Sequence, residues 1–250
     1  MTALRRLFRA WGAAVRFLTV VPWGRWDAAR PEDLGCAAAL FPWVGGLLGL
    51  AAAGARWAVL AAGGTPALAA AVALAVWVAL TGGLHLDGLM DAADGLLGGR
   101  TPEHRLEIMR DERVGAFGVL AAGLVLLLKF AALESVPVAA LVLTPMAGRW
   151  VMTLAMAVFP YARPQGLGRM WYDQTDWRAA LAATAAVTWA LLALDWPWGW
   201  LAWGVAAGVA VLVVRWVLRR LPAGLTGDVY GALAEMAETA VLIAAALGGG

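Results

Sequence analysis

Apolar positions along this chain run unbroken for about a helical span at a time, rather than alternating or recurring as a single stripe. Seven such stretches stand near residues 37–61, 66–83, 115–133, 137–159, 179–195, 199–218 and 229–247. Crossing about 30 Å of hydrocarbon takes roughly twenty helical residues, so each stretch is of spanning length. Alanine, leucine and valine fill them all round, as in helices facing lipid or one another, and the ten-residue alternation of a membrane barrel is absent. The fold class expected is an all-α polytopic membrane bundle of about seven transmembrane helices. Residues 1–36 read differently. "MTALRRLFRAWGAAVRFLTVVPW" sets arginines among apolar residues, which predicts an amphipathic helix on the membrane surface rather than a first span. Arg9 and Arg16 interrupt any signal-peptide core, and no small-residue cleavage site follows.

Composition agrees. Of 250 residues, 62% are hydrophobic and 14% charged, and the mean hydropathy is +0.75. A soluble domain of this size could not bury so much apolar surface. The net charge of +2 and a pI near 9.1 come from arginines at segment ends, which excludes the continuous basic face that nucleic-acid binding needs. If residues 1–36 face the cytoplasm, then 84–114, 160–178 and 219–228 do too, and these carry Arg100, Arg105, Arg110, Arg113, Arg163, Arg169, Arg178, Arg219 and Arg220. The opposite turns, around "GGTP", "ESVP" and "DWPWGW", have no lysine or arginine, a positive-inside pattern. Trp196, Trp198, Trp200 and Trp203 gather at one of them as an interfacial belt. Cys36 is the only cysteine, so one chain can build neither a disulfide nor a thiolate cluster. Without repeats or linkers, residues 1–250 read as one transmembrane domain.

The chemistry concentrates in "LTGGLHLDGLMDAADGLLGGR", residues 80–100. On a helix Asp91 falls about 40° to one side of Asp87 and Asp94 about 20° to the other. One acid at such a boundary usually caps a helix or solvates a loop. Three on one face repel each other unless a cation sits between them. Oxygen ligands without cysteine favour Mg²⁺, or Mn²⁺, over zinc, and magnesium completes its shell with waters and phosphate oxygens. Asp87, Asp91 and Asp94 are therefore the expected metal ligands, and the substrate a phosphate or diphosphate. Gly88, Ala92 and Gly95 lie on a neighbouring stripe that admits another helix or a bulky substrate. His85 projects to the opposite side of an ideal helix, and joins the site only if the "TGG" turn breaks that geometry.

Next comes "RLEIMRDERVGAFG", where Arg110 and Arg113 are placed to clamp a diphosphate and Asp111 to complete the metal shell or orient a nucleophile. A merely solvated, positive-inside loop is the competing reading. Arg149 lies inside a spanning stretch, where an unpaired guanidinium costs at least about 2.5 kcal/mol, so it needs a partner. In "GLTGDVYGALAEMAETA", Asp228 and Glu235 stand seven apart on one helical face with Glu238 three beyond, and Thr226 or Asp228 is placed to cap the helix. Either Arg149 and Glu235 form a structural ion pair, or these residues make a second wall of the substrate cavity. Arg56 and Lys129, near the other ends of their helices, are expected to snorkel.

"GLHLDGLMDAADGLLGGR" with "MRDERVGAFG" resembles the signature of the cobalamin synthases, the adenosylcobinamide-GDP ribazoletransferases of vitamin B12 assembly. "RFLTVVPW" at 16–23, "FPWVGGLLG" at 41–49 and "GLTGDVYGALAE" at 224–235 look like landmarks of the same family in the same order. The resemblance implies transfer of the cobinamide phosphate from its GDP-activated form to the ribose hydroxyl of alpha-ribazole or its 5′-phosphate, with GMP leaving. It implies Mg²⁺ held by Asp87, Asp91 and Asp94, Arg110 and Arg113 on the leaving GMP, and Asp94, Asp111 or His85 as base. Arg149, Asp228 and Glu235 would then line the substrate cavity. Small-molecule substrates, membrane lipid and other enzymes of lower-ligand assembly are the implied partners, and the inner membrane with a cytoplasmic active site the implied location. The rivals are a CDP-alcohol-type phospholipid phosphotransferase and, further off, a cation-coupled transporter.

Overall fold

The structure, a computed structural model, describes residues 3–23 and 30–248; the remaining parts of the expected 1–36 surface segment, residues 1–2 and 24–29, lie outside it. Within that segment there are two helices, α1 (Ala3–Leu18) and α2 (Pro31–Ala39). Arg9 joins them, donating from Nε and Nη2 to the two oxygens of Asp33 at 2.7 and 3.1 Å. Leu4, Leu7 and Phe8 of α1 stay exposed, as a helix lying at an interface requires.

All seven apolar stretches are helical. They become α3 (Phe41–Ala61), α4 (Pro66–Thr81), α7 (Ala116–Leu133), α8 (Val138–Val158), α10 (Trp177–Leu194), α11 (Gly199–Leu218) and α12 (Gly227–Gly248), with the short helices α5 (Leu84–Gly98), α6 (Pro102–Ile108) and α9 (Leu167–Gln174) between them. Six are long and apolar enough to cross a membrane, so this is a multi-pass membrane protein. The seventh stretch behaves otherwise. At 16 residues, α4 rises about 24 Å, short of a full hydrocarbon crossing. Gly82 and Gly83 then adopt left-handed φ angles of 60° and 71°, which side-chain-bearing residues resist, and the chain bends by 85° into α5. The "TGG" turn thus does break the helix, and α4 with α5 makes one bent unit. Among the described residues it is the one bent pair, without the matched broken halves of many transporters.

The centre of the bundle is α8, buried along almost its whole length and packed between α3 and α12; α12 also packs on α5, α7 and α11. The outward faces of α7, α10 and α11 leave Leu120, Leu124, Leu127, Leu181, Leu192, Leu201 and Leu212 exposed, which is where the excess apolar composition goes. In the expected tryptophan belt, Trp198 and Trp200 are open while Trp196 is buried, and Trp203 packs on Trp150 and Trp200 with ring centroids 5.0 and 5.7 Å apart.

The arginine-rich segments converge at one end. Arg105 of α6 donates to the Arg220 carbonyl, and Arg163, after α8, donates to the Met109 carbonyl. Residues 160–162 pair with Leu225 through hydrogen bonds of 2.7 and 2.8 Å. These ties bring the segment before α12 to the acidic face of α5.

Candidate active site

Helices α5 and α12 cross at two glycines. A Cβ on Gly88 would sit 3.0 Å from the Asp228 carbonyl oxygen and 3.4 Å from the Gly231 Cα, and one on Gly231 would sit 3.0 Å from the His85 carbonyl oxygen. The small-residue stripe read from the sequence therefore admits a helix, and that helix delivers Asp228 beside Asp87 and Asp91. Thr226 caps α12 by accepting from the Val229 amide, and its hydroxyl also donates to Asp228 Oδ2 at 3.3 Å. The same oxygen takes an ion pair from Arg163 at 2.7 Å.

The three aspartates of α5 share a face but not an environment. Asp87 is exposed, Asp91 is half-buried and Asp94 is buried. Neither Asp87 nor Asp91 has a hydrogen-bond partner among the described residues, and Asp91 lies in the field of Asp228, Asp87 and Arg163. Asp94 departs from the expected role of metal ligand or base. Its two oxygens accept the amides of Gly115 and Gly118, each at 2.8 Å, in the first turn of α7. A Cβ on either glycine would collide with this carboxylate, so both are small because Asp94 lies against them. An anion at a helix N-terminus, taking orphan amides, is stabilised there. The capping reading thus holds for one acid of the three.

Asp111 and Arg113, expected on the metal and the diphosphate, bind each other at an exposed turn, with Arg113 Nε and Nη2 at 2.9 and 2.6 Å from the two carboxylate oxygens. That guanidinium, through its hydrogen bonds, holds the Asp111 carboxyl down at about 2, so it stays ionised and is a poor proton acceptor. Arg110 is exposed. The Asp94 bonds to Gly115 and Gly118 hold this turn against α5.

Arg149 and Glu235 do not line the cavity beside Asp87 and Asp228. Arg149 is fully buried and pairs with Glu238, whereas Glu235 pairs with Lys129 at 2.7 Å, and Lys129 also reaches Glu238. The expected Arg149–Glu235 pair is thus displaced by one helical turn, and Lys129 is buried rather than snorkelling, with the Trp77 ring 4.9 Å from its ammonium. Two cations facing two anions leave the cluster neutral, as hydrocarbon demands. Arg56 reaches the carbonyls of Glu134 and Val136 at the end of α7.

A cavity of about 240 Å³ opens between α5, α12 and the segment 161–171. Asp87, Asp228 and Arg163 line it, with His85, Tyr161 and Tyr230 further in. His85 reaches it because the Gly82–Gly83 bend sets the first turn of α5 beneath α12. Arg163, Tyr161 and Tyr230 are absent from the sequence-based site. Arg163 is one of nine arginines in the segments 84–114, 160–178 and 219–228, and the tyrosines carry no spacing signal. An intramembrane cation such as Lys129 did carry one, of the same kind as Arg149.

Among the described residues, no three acid, histidine or cysteine side chains converge tightly enough to cage a metal ion. Asp94 is committed to amides and Asp228 to Arg163, which leaves Asp87 and Asp91 with free oxygens. This fits a cation that takes two carboxylates from the protein and its remaining ligands from water and a phosphate substrate, the usual arrangement for magnesium.

The chain matches the family model for cobalamin-5-phosphate synthase over residues 10–246. It is 41% identical over 247 residues to an adenosylcobinamide-GDP ribazoletransferase of Desulforamulus reducens, covering 97% of this chain and 98% of the relative. Proteins of the same name from Desulfitobacterium hafniense and Stutzerimonas stutzeri are 39% and 42% identical, covering 98% and 94% of this chain and 98% and 96% of their own. No solved structure matches.

Proposed function

The chain belongs to the cobalamin-5-phosphate synthase family, enzymes of cobalamin synthesis, and from this premise we propose that it transfers the cobinamide phosphate of a GDP-activated corrinoid to the ribose hydroxyl of alpha-ribazole or its 5′-phosphate. The acceptor oxygen bonds to the phosphorus that carries the corrinoid, the bond to GMP breaks, and the hydroxyl proton goes to a carboxylate. The observation that carries this reading is the meeting of Asp87, Asp91, Asp228 and Arg163 at the α5–α12 crossing.

Each group has work there. Arg163 presents a guanidinium, already oriented by Asp228 and the Met109 carbonyl, to oxygens of the diphosphate. Asp87 and Asp91 would hold Mg²⁺ against the same diphosphate. When bound, the ion supplies charge neutralisation on the transferring and leaving oxygens. Asp94 is held by two backbone amides and Asp111 by Arg113, so neither of them is the proton acceptor. Asp94 keeps the turn that bears Arg110 and Arg113 against the site, where these exposed arginines meet the leaving GMP.

The arginine-rich end of the bundle faces the cytoplasm of the inner membrane in this proposal, supported by lysine- and arginine-free turns at the other end. The phospholipid-synthase and transporter readings are not favoured, since the full-length relatives carry another name and the bent pair has no counterpart. The test is an assay of purified, detergent-solubilised protein with the GDP-activated corrinoid and alpha-ribazole, with and without Mg²⁺. GMP released stoichiometrically with the coupled corrinoid is expected; no coupling at saturating Mg²⁺ rejects the proposal.

A further inference from the structure

The cavity beside Asp87 and Asp228 has a mouth and a floor of different chemistry. Charge surrounds the mouth. Inside, the walls are aromatic: Tyr161 and Tyr230 lie with ring centroids 5.9 Å apart, and Phe17 and Trp171 4.6 Å apart, with the thioethers of Met152 and Met156 beside them. The floor carries two polar groups with nothing to bind. His85 is 3% exposed and neither ring nitrogen has a partner, and the Tyr230 hydroxyl, equally buried, has none either. Buried polar groups are nearly always satisfied, and leaving two orphaned on one cavity is costly. A ligand that enters would supply the partners.

Size and polarity narrow the choice. About 240 Å³ lies below the volume of pockets for drug-sized ligands, and far below what a corrinoid macrocycle needs. A flat heteroaromatic base between aromatic walls fits. Guanine, with donors and acceptors along both edges, would leave most of them unpaired against rings and thioethers, whereas two polar groups suffice for a base with a single ring acceptor and an attached sugar.

We infer that this cavity receives the acceptor nucleoside, its base held between the aromatic side chains and its polar atoms read by His85 and the Tyr230 hydroxyl, with the ribose turned to the mouth. The inference rests on the transfer reaction proposed above. It places the attacking hydroxyl beside Asp87 and Asp228, where the diphosphate is held, while the corrinoid stays outside. His85 is then a binding residue.

The experiment is steady-state kinetics on detergent-solubilised wild type, His85→Leu and Tyr230→Phe, with nucleoside and GDP-activated corrinoid varied separately. A wild type that transfers nothing defeats the reaction proposed, not this assignment. With an active wild type, each variant is expected to raise KM for the nucleoside about tenfold while KM for the corrinoid moves less than about twofold. His85→Gln, which keeps a hydrogen-bonding group, is expected to recover much of the loss. A raised KM for the corrinoid donor alone would put guanine in the cavity, and unchanged KM for both would empty it of substrate; either result overturns the assignment. If His85→Leu does not fold, Tyr230→Phe decides alone, because a merely structural defect would not separate the two KM values.

Discussion

Lys129 on α7 donates to Glu235 and Glu238, two carboxylates one turn apart on α12, while Arg149 on α8 takes the other oxygen of Glu238. Three helices are thereby locked in register at the middle of the bundle. Removing one cation leaves a buried negative charge uncompensated, at a cost of about 3–5 kcal/mol. Arg149→Met is expected to lower the thermal midpoint sharply, and adding Glu238→Gln to restore part of it. Thermal unfolding of the purified variants checks this; an unchanged midpoint for Arg149→Met with lost activity would make Arg149 a substrate residue instead.

Asp94 and Asp91 should separate by phenotype although they lie on one helical face. Asp94→Asn loses a charged acceptor for the Gly118 or Gly115 amide at the start of α7 and is expected to cost about 1–3 kcal/mol of stability. Asp91→Asn removes no hydrogen bond and is expected to abolish turnover while the protein stays inserted and folded. Near-wild-type turnover of Asp91→Asn at saturating Mg²⁺ would contradict the proposed site.

Arg163→Gln is expected to reduce kcat/KM by on the order of a hundredfold, because it removes a positioned cation from the diphosphate and leaves Asp228 unneutralised. The thermal midpoint should fall as well, since Asp228 loses its ion pair and the tie to the Met109 carbonyl goes with it, so kcat/KM is compared on the folded fraction. An effect confined to the nucleoside KM would assign Arg163 elsewhere.

Metal dependence follows from the two free carboxylates of α5. Chelation with EDTA is expected to stop GMP release, and added Mg²⁺ or Mn²⁺ to restore it, with folding unaffected since no described structural contact requires an ion. Full activity in EDTA would remove the metal from the proposal.

The α1–α2 clasp gives a pH signature. Hydrogen bonding to the Arg9 guanidinium holds the Asp33 carboxyl below its ordinary range, so the clasp is at full strength above the unfolded carboxyl pKa of about 4 and weakens as the pH falls through the lowered folded value. Hydrogen exchange in α1 should therefore quicken in acid, and Arg9→Gln should exchange fast at neutral pH as well. Equal protection of α1 in acid and at neutrality would show that apolar packing holds it without the ion pair.

What could be read from the chain alone followed from local physics. Spanning length, all-round apolarity and arginine-free turns determined seven helical stretches, and helical periodicity put Asp87, Asp91 and Asp94 on one face and a small-residue stripe beside them. Depth was not legible, because it depends on what packs against each residue. The N-terminus of α7 lies over Asp94 and turns it into a cap, while Asp87 and Asp91 remain open. Partner choice was equally hidden: Arg149 meets Glu238 rather than Glu235, and Lys129 is buried, because α7, α8 and α12 meet at a height that no single helix encodes. Arg163 joined the site only through the pairing of residues 160–162 with Leu225. Sequence thus determined which side chains could act, since charge and periodicity are properties of a segment; tertiary structure decided which are free to act, since a hydrogen bond from a distant backbone can occupy a carboxylate that looks, on its own helix, the same as its neighbours.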